Sequence, residues 1–167
     1  SAAGTFTPAI GATSSEFEYI LNGVAPCSNS SSLATVTINA QPSAGFNGST
    51  TVCEDSTTVI NLASLISGEQ AGGVWVRSSG LGGTFDALAG TFTPAVGATT
   101  STFTYTITAV APCSDSFSVA TVNINPQPIA GLDGAATICE TSTATINLFD
   151  LITGEQSGGV WTQLSGS

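Results

Sequence analysis

The chain has 167 residues and a hydrophobic fraction of 41%, enough for one ordinary domain or two small ones with a core. Only 7% of the residues are charged, one Lys+Arg against eleven Asp+Glu, for a net charge of −10, and there is no histidine or methionine. One arginine, Arg77, cannot neutralise a polyphosphate backbone or hold an anionic membrane surface, and without His or Lys the Ser-His-Asp, Cys-His, Schiff-base and P-loop chemistries are excluded.

In chain order, the first elements are ones that return. Gly4-Thr5-Phe6-Thr7-Pro8-Ala9 recurs as Gly90-Thr91-Phe92-Thr93-Pro94-Ala95, and Ala25-Pro26-Cys27-Ser28 as Ala111-Pro112-Cys113-Ser114. Gly72-Gly73-Val74-Trp75 recurs as Gly158-Gly159-Val160-Trp161. Every offset is 86, and about 49 of the roughly 81 overlaid positions are identical, the mark of a tandem array. Proline interrupts strands, so Gln41-Pro42 and Pro126-Gln127-Pro128 are the expected linkers. That phasing makes residues 1–42 the C-terminal part of one repeat, 43–128 a complete repeat and 129–167 the N-terminal part of the next. The segment is expected to be a piece of a longer chain, since it shows no signal peptide and no long apolar stretch.

Within 43–128 the pattern has period two. A short strand is expected from Thr57 to Leu62, with a helical turn over Leu62 to Ile66. Further strands are expected at Val74 to Val76, Thr84 to Asp86 and Thr91 to Thr93. Phe103, Tyr105 and Ile107 alternate with threonines, and Ala120, Val122 and Ile124 share one face of the segment Val119 to Asn125. About seven short strands separated by Gly-, Pro- and Ser-rich turns predict an all-β fold: antiparallel Ig-like β-sandwich repeats arranged head to tail. Trp75 is expected in the core, with an exposed sugar-stacking surface as the alternative, and Tyr105 is expected to bury its ring and bond its hydroxyl to the backbone.

Two cysteines occur per repeat, with neither a CxxC pair nor a histidine, so disulfides in an oxidising compartment are the reading. Cys53 and Cys113 share the complete repeat, and a bridge closing their loop of about 60 residues would contribute roughly 4 kcal/mol in the chain-entropy treatment. The alternative joins Cys27 to Cys53 across the linker.

The succession Thr51-Val52-Cys53-Glu54, Gly72-Gly73-Val74-Trp75, Gly82-Gly83-Thr84-Phe85-Asp86, Phe103-Thr104-Tyr105-Thr106, Ala111-Pro112-Cys113 and Ala120-Thr121-Val122-Asn123-Ile124 resembles the Ig-like tandem repeats of large Bacteroidetes secreted and cell-surface adhesin or filament proteins. That resemblance implies a rigid extracellular module strung into adhesins, filaments or the stalks of polysaccharide-degrading enzymes.

Other chemistry is sparse. Glu16 and Glu18 share a strand face like an acid/base pair, but their counterparts are Thr102 and Thr104. Glu54, Asp55, Asp133 and Glu140 offer oxygen ligands without a calcium-loop pattern. Asp55-Ser56-Thr57 is similar to a Bacteroidetes O-glycosylation sequence, which makes Ser56 a candidate, and Asn29 and Asn47 fit the N-linked pattern. The expectation is a structural stalk or filament segment, without enzyme activity, cofactor or metal, that projects a distal domain at the bacterial surface or after secretion. Its partners are neighbouring repeats of the same chain and laterally associated copies in fibres, with no nucleic acid and no membrane insertion. The alternative is a spacer or carbohydrate-binding module of a secreted polysaccharide-degrading enzyme.

Overall fold

Apolar side chains at every second position, with threonine between them, give a strand one face to bury and one to hydrate. The computed structural model describes residues 4–166. Nine strands form among them: β1 (Ser15–Leu21), β2 (Ser30–Val36), β3 (Gly48–Cys53), β4 (Ile60–Asn61), β5 (Val74–Ser79), β6 (Thr84–Asp86), β7 (Thr91–Thr93), β8 (Ser101–Ile107) and β9 (Ser116–Asn125). The only helical elements among the described residues are single 3₁₀ turns at Leu62–Ser64 and Leu148–Asp150, and no helix is long and apolar enough to cross a membrane.

The fold is all-β. β1 and β2 form a hairpin; β3-β9-β8-β5 form a four-stranded sheet and β4-β7-β6 a three-stranded one. Every pairing is antiparallel except β3 with β9, which is parallel. The expected antiparallel arrangement is corrected there. No hairpin joins these two strands, and the intervening chain visits both sheets before β9 returns alongside β3 in the same direction.

The core sits where the two sheets meet. Phe103 of β8 is fully buried, 5.0 Å from the rings of Phe85 on β6 and Phe92 on β7. It faces Ala120 in register, a large residue opposite a small one. Leu62, Trp75, Tyr105 and Val122 complete the cluster. Burial of each such side chain stabilises the fold by about 1.5–3 kcal/mol. Leu62 is delivered by its 3₁₀ turn, where Asn61 accepts from the Ala63 N–H at 3.1 Å and Ser64 donates to the Asn61 carbonyl.

The β1–β2 hairpin has the register of β8–β9: Ser15 faces Val36 as Ser101 faces Val122. Its apolar face is open, however. Phe17 is 40% exposed and Tyr19 65%, where Phe103 is 0% and Tyr105 7%. At the other end, residues 129–166 repeat the 3₁₀ turn and the isolated bridge, Leu132 to Thr153 for Phe46 to Ser67, yet contain no strand. The cause is missing partners: β3 and β5 pair only with β9 and β8, and that stretch carries no counterparts of those two.

Candidate functional site

A set of specific polar contacts outside the core lies where the segment that follows β2, up to Gln41, meets the loop between β8 and β9. The Asn39 side-chain amide donates to the Ala111 carbonyl at 2.7 Å, and that of Gln41 donates to the Ser114 carbonyl, also at 2.7 Å. Cys113 Sγ lies 3.3 Å from the Asn39 carbonyl oxygen. The receiving loop between β8 and β9 is shaped by Asp115, which accepts the Ala109 N–H at 2.8 Å, and by the Cys113 N–H bonding to the Val110 carbonyl. Beyond Pro42, the chain is fastened by Ser118 Oγ donating to Ala44 O at 2.7 Å and by Ala44 N–H donating to Ser116 Oγ.

The far end of β9 presents the same residue pair, Asn125 and Gln127. Glu54 N–H donates to Asn125 O, and the Glu54 carboxylate accepts from the N–H groups of Gln127 and Gly97, both at 3.0 Å. Cys53, the register partner of Asn125, donates its thiol to Gln127 Oε1 at 3.0 Å.

This geometry corrects the expected bridge. All four thiols are free, and Cys53 and Cys113 lie at opposite ends of β9. A ten-residue strand separates them by about 30 Å at 3.3 Å per residue, far beyond disulfide reach. The alternative of Cys27 with Cys53 fails similarly, because Cys27 lies in the β1–β2 turn, at the end of β2 remote from the linker.

A cleft of about 670 Å³ runs beside Trp75 between Gln70–Val74 and Ala87–Gly90. It resembles a binding site in size, but the Tyr105 and Gln70 side chains on its wall are engaged with the backbone. The Tyr105 hydroxyl donates to Gln70 O at 2.8 Å and accepts from the Gly73 N–H at 2.9 Å, while Gln70 Oε1 accepts from the Ser43 N–H. Trp75 is 6% exposed and packed 5.0 Å from Tyr105, so its ring is a core element and its face is closed to a sugar. Arg77 is half-buried: it donates to Ser101 Oγ at 2.7 Å and its guanidinium lies 5.2 Å from the centre of the Phe92 ring.

The remaining candidates stand apart. Glu16 and Glu18 are exposed on β1 and face Thr35 and Leu33. Among the described residues no group of three or more His, Cys, Asp or Glu side chains is placed to hold a metal ion, and Glu54 is committed to backbone amides. Ser56 is half-buried and its hydroxyl accepts the Thr58 N–H, while Asn29 and Asn47 are exposed. Sequence reasoning missed Asn39, Gln41 and the Glu54 clamp. The available signal was identity one period on, at Asn125, Gln127 and Glu140. Comparison with protein-family models, with curated proteins and with solved structures gave no match.

Proposed function

We propose that this chain is a structural segment of a long extracellular fibre or stalk, built of Ig-like β-sandwich units repeated head to tail. Residues 43–128 form a complete unit and the flanking stretches belong to its neighbours. The supporting observation is the joint: side chains of Asn39 and Gln41 hold the loop at 111–114 of the next unit, so successive units are fastened rather than freely hinged. The same residues recur as Asn125 and Gln127 at the next exit. The function is reach and stiffness, holding a distal domain away from a bacterial surface, in the manner of the Bacteroidetes repeats that the sequence resembles. Catalysis belongs to other parts of such a protein; the acidic, Ser/Thr-rich surface keeps the fibre soluble.

Electron micrographs of the native particle test this. A beaded row with a step of about 35–40 Å per unit is expected, from strands of seven to ten residues plus end loops. Compact particles with no axial repeat would refute it.

A further inference from the structure

Trp75 leaves one polar atom unanswered. Its ring is 6% exposed and packed against Tyr105, yet its Nε1–H donates to no acceptor among the described residues. Every fully buried side-chain nitrogen or oxygen among those residues has a partner, so Nε1 belongs to the small part of the ring that stays open, on the wall of the cleft of about 670 Å³. Gly90 keeps it uncovered: a Cβ there would stand 2.8 Å from Nε1 and 2.9 Å from Cδ1 of the indole. The cleft therefore offers the N–H edge of Trp75, while the face of the ring is closed.

The other lining residues define what can meet that donor. Ala63, Ala71, Ala87, Leu88 and Ala89 are small or apolar, and the half-buried Glu69 is the only charged residue of the lining. With this carboxylate on the wall and a net charge of −10 on the chain, anions are repelled. A sugar would leave most of its hydroxyls against alanine without a partner. One N–H donor and one carboxylate acceptor among apolar walls fit a side-chain amide: the oxygen accepts from Nε1 and the NH₂ group is left for Glu69.

A second observation supplies the backbone for such a side chain. The cleft begins on β5 at Val74 and Trp75, and β5 is an edge strand, paired with β8 on one side only. Its outer N–H and C=O groups can pair with an extended peptide by strand addition, and the added strand turns alternate side chains towards the space between the sheets. The outward Val74 and Val76 are 63% and 56% exposed, so the outer face of this edge carries no charge. We propose that the cleft is a recognition site for an extended, uncharged peptide of a partner protein, which adds to the free edge of β5 and inserts a glutamine side chain whose amide oxygen accepts from Trp75 Nε1–H. The site lies within one unit and goes beyond the fibre reading, which stands or falls separately.

The test is nuclear magnetic resonance of the ¹⁵N-labelled chain, whose two tryptophans give two indole N–H signals, assigned with Trp161→Phe. The probes are the capped tripeptides Ac-Val-Gln-Val-amide, Ac-Val-Leu-Val-amide and Ac-Val-Glu-Val-amide, with cellobiose as the sugar. The glutamine peptide should shift the Trp75 signal and the β5 backbone signals saturably, half-way at about 1 mM, and leave the Trp161 signal in place. The leucine peptide should bind about fivefold more weakly for want of the acceptor, and the glutamate peptide at least about tenfold more weakly. Leu88 is 99% exposed, so Leu88→Glu leaves the fold intact and should weaken the glutamine peptide at least about fivefold. Trp75→Phe should erase the preference for glutamine over leucine, read on the β5 backbone signals. No saturable shift up to about 20 mM, equal binding of the three peptides, or an unchanged Leu88→Glu variant overturns the inference. A larger response to cellobiose overturns it in favour of a sugar, and a Trp75 signal that moves with protein concentration alone overturns it in favour of a second copy of the chain.

Discussion

The chain's two tyrosines occupy equivalent positions in opposite environments, which makes Tyr105→Phe and Tyr19→Phe a matched pair. The Tyr105 hydroxyl satisfies the Gln70 carbonyl and the Gly73 N–H at once, with the ring 7% exposed. Deleting it strands one donor and one acceptor, each costing about 1–3 kcal/mol when buried. Both groups border the open cleft, so water relieves part of the penalty, and the expected total is about 2 kcal/mol. With a urea slope near 1.5 kcal/mol per M, the unfolding midpoint of Tyr105→Phe falls by a little over about 1 M. Tyr19 is 65% exposed, so Tyr19→Phe should stay within about 0.5 kcal/mol of the parent. The assay is Trp75 fluorescence against urea in a Trp161→Phe background, under reductant and at low concentration so that copies stay apart. Equal shifts for the two variants, or a Tyr105→Phe shift below about 0.5 kcal/mol, would refute the assignment of that hydroxyl as a tie between strand and loop.

Three further outcomes are expected. Arg77→Gln, which copies the counterpart residue Gln163, removes the bond to Ser101 and the cation over Phe92 and should destabilise by about 1–2 kcal/mol in the same urea assay. Gly73→Ala places a methyl group inside the Tyr105 ring envelope and should cost about 2–3 kcal/mol. Gly159→Ala meets nothing within 4 Å and should leave stability unchanged or raise it by up to about 1 kcal/mol in calorimetry. Among the thiols, a hydrogen bond from the Thr141 hydroxyl lowers the Cys139 pKa, while a side-chain hydrogen bond with Asp55 raises that of Cys53. Cys139 therefore holds more thiolate at mildly alkaline pH and should be alkylated faster than Cys53, with the gap narrowing once the pH exceeds both pKa values; mass spectrometry of timed quenches reads this.

Period-two patterning made β6, β7 and the apolar faces of β8 and β9 legible, because each side chain's burial there follows from alternation alone. It overstated β4, which covers only Ile60–Asn61. The residues before it are taken up by a turn in which Ser56 donates its N–H to Cys53 O and accepts from Thr58. It understated β5, which runs on to Ser79 through an irregularity that keeps it paired with β8. The sequences at 43–81 and 129–166 are close copies, yet only the first forms strands, since pairing depends on residues far along the chain. The cysteine geometry was hidden for the same reason. A separation of about 60 residues carries no information about which end of β9 each thiol occupies, and only the parallel β3–β9 ladder decides it.

That ladder also determines how the unit bears tension. Because β3 and β9 run side by side in one direction, the chain comes in at the pole where β3 starts and leaves at the pole where β9 ends. A pull on the two termini loads all the hydrogen bonds between them in shear, together, instead of peeling them one by one. The rate of mechanical rupture is then governed by the simultaneous failure of a six-residue pairing.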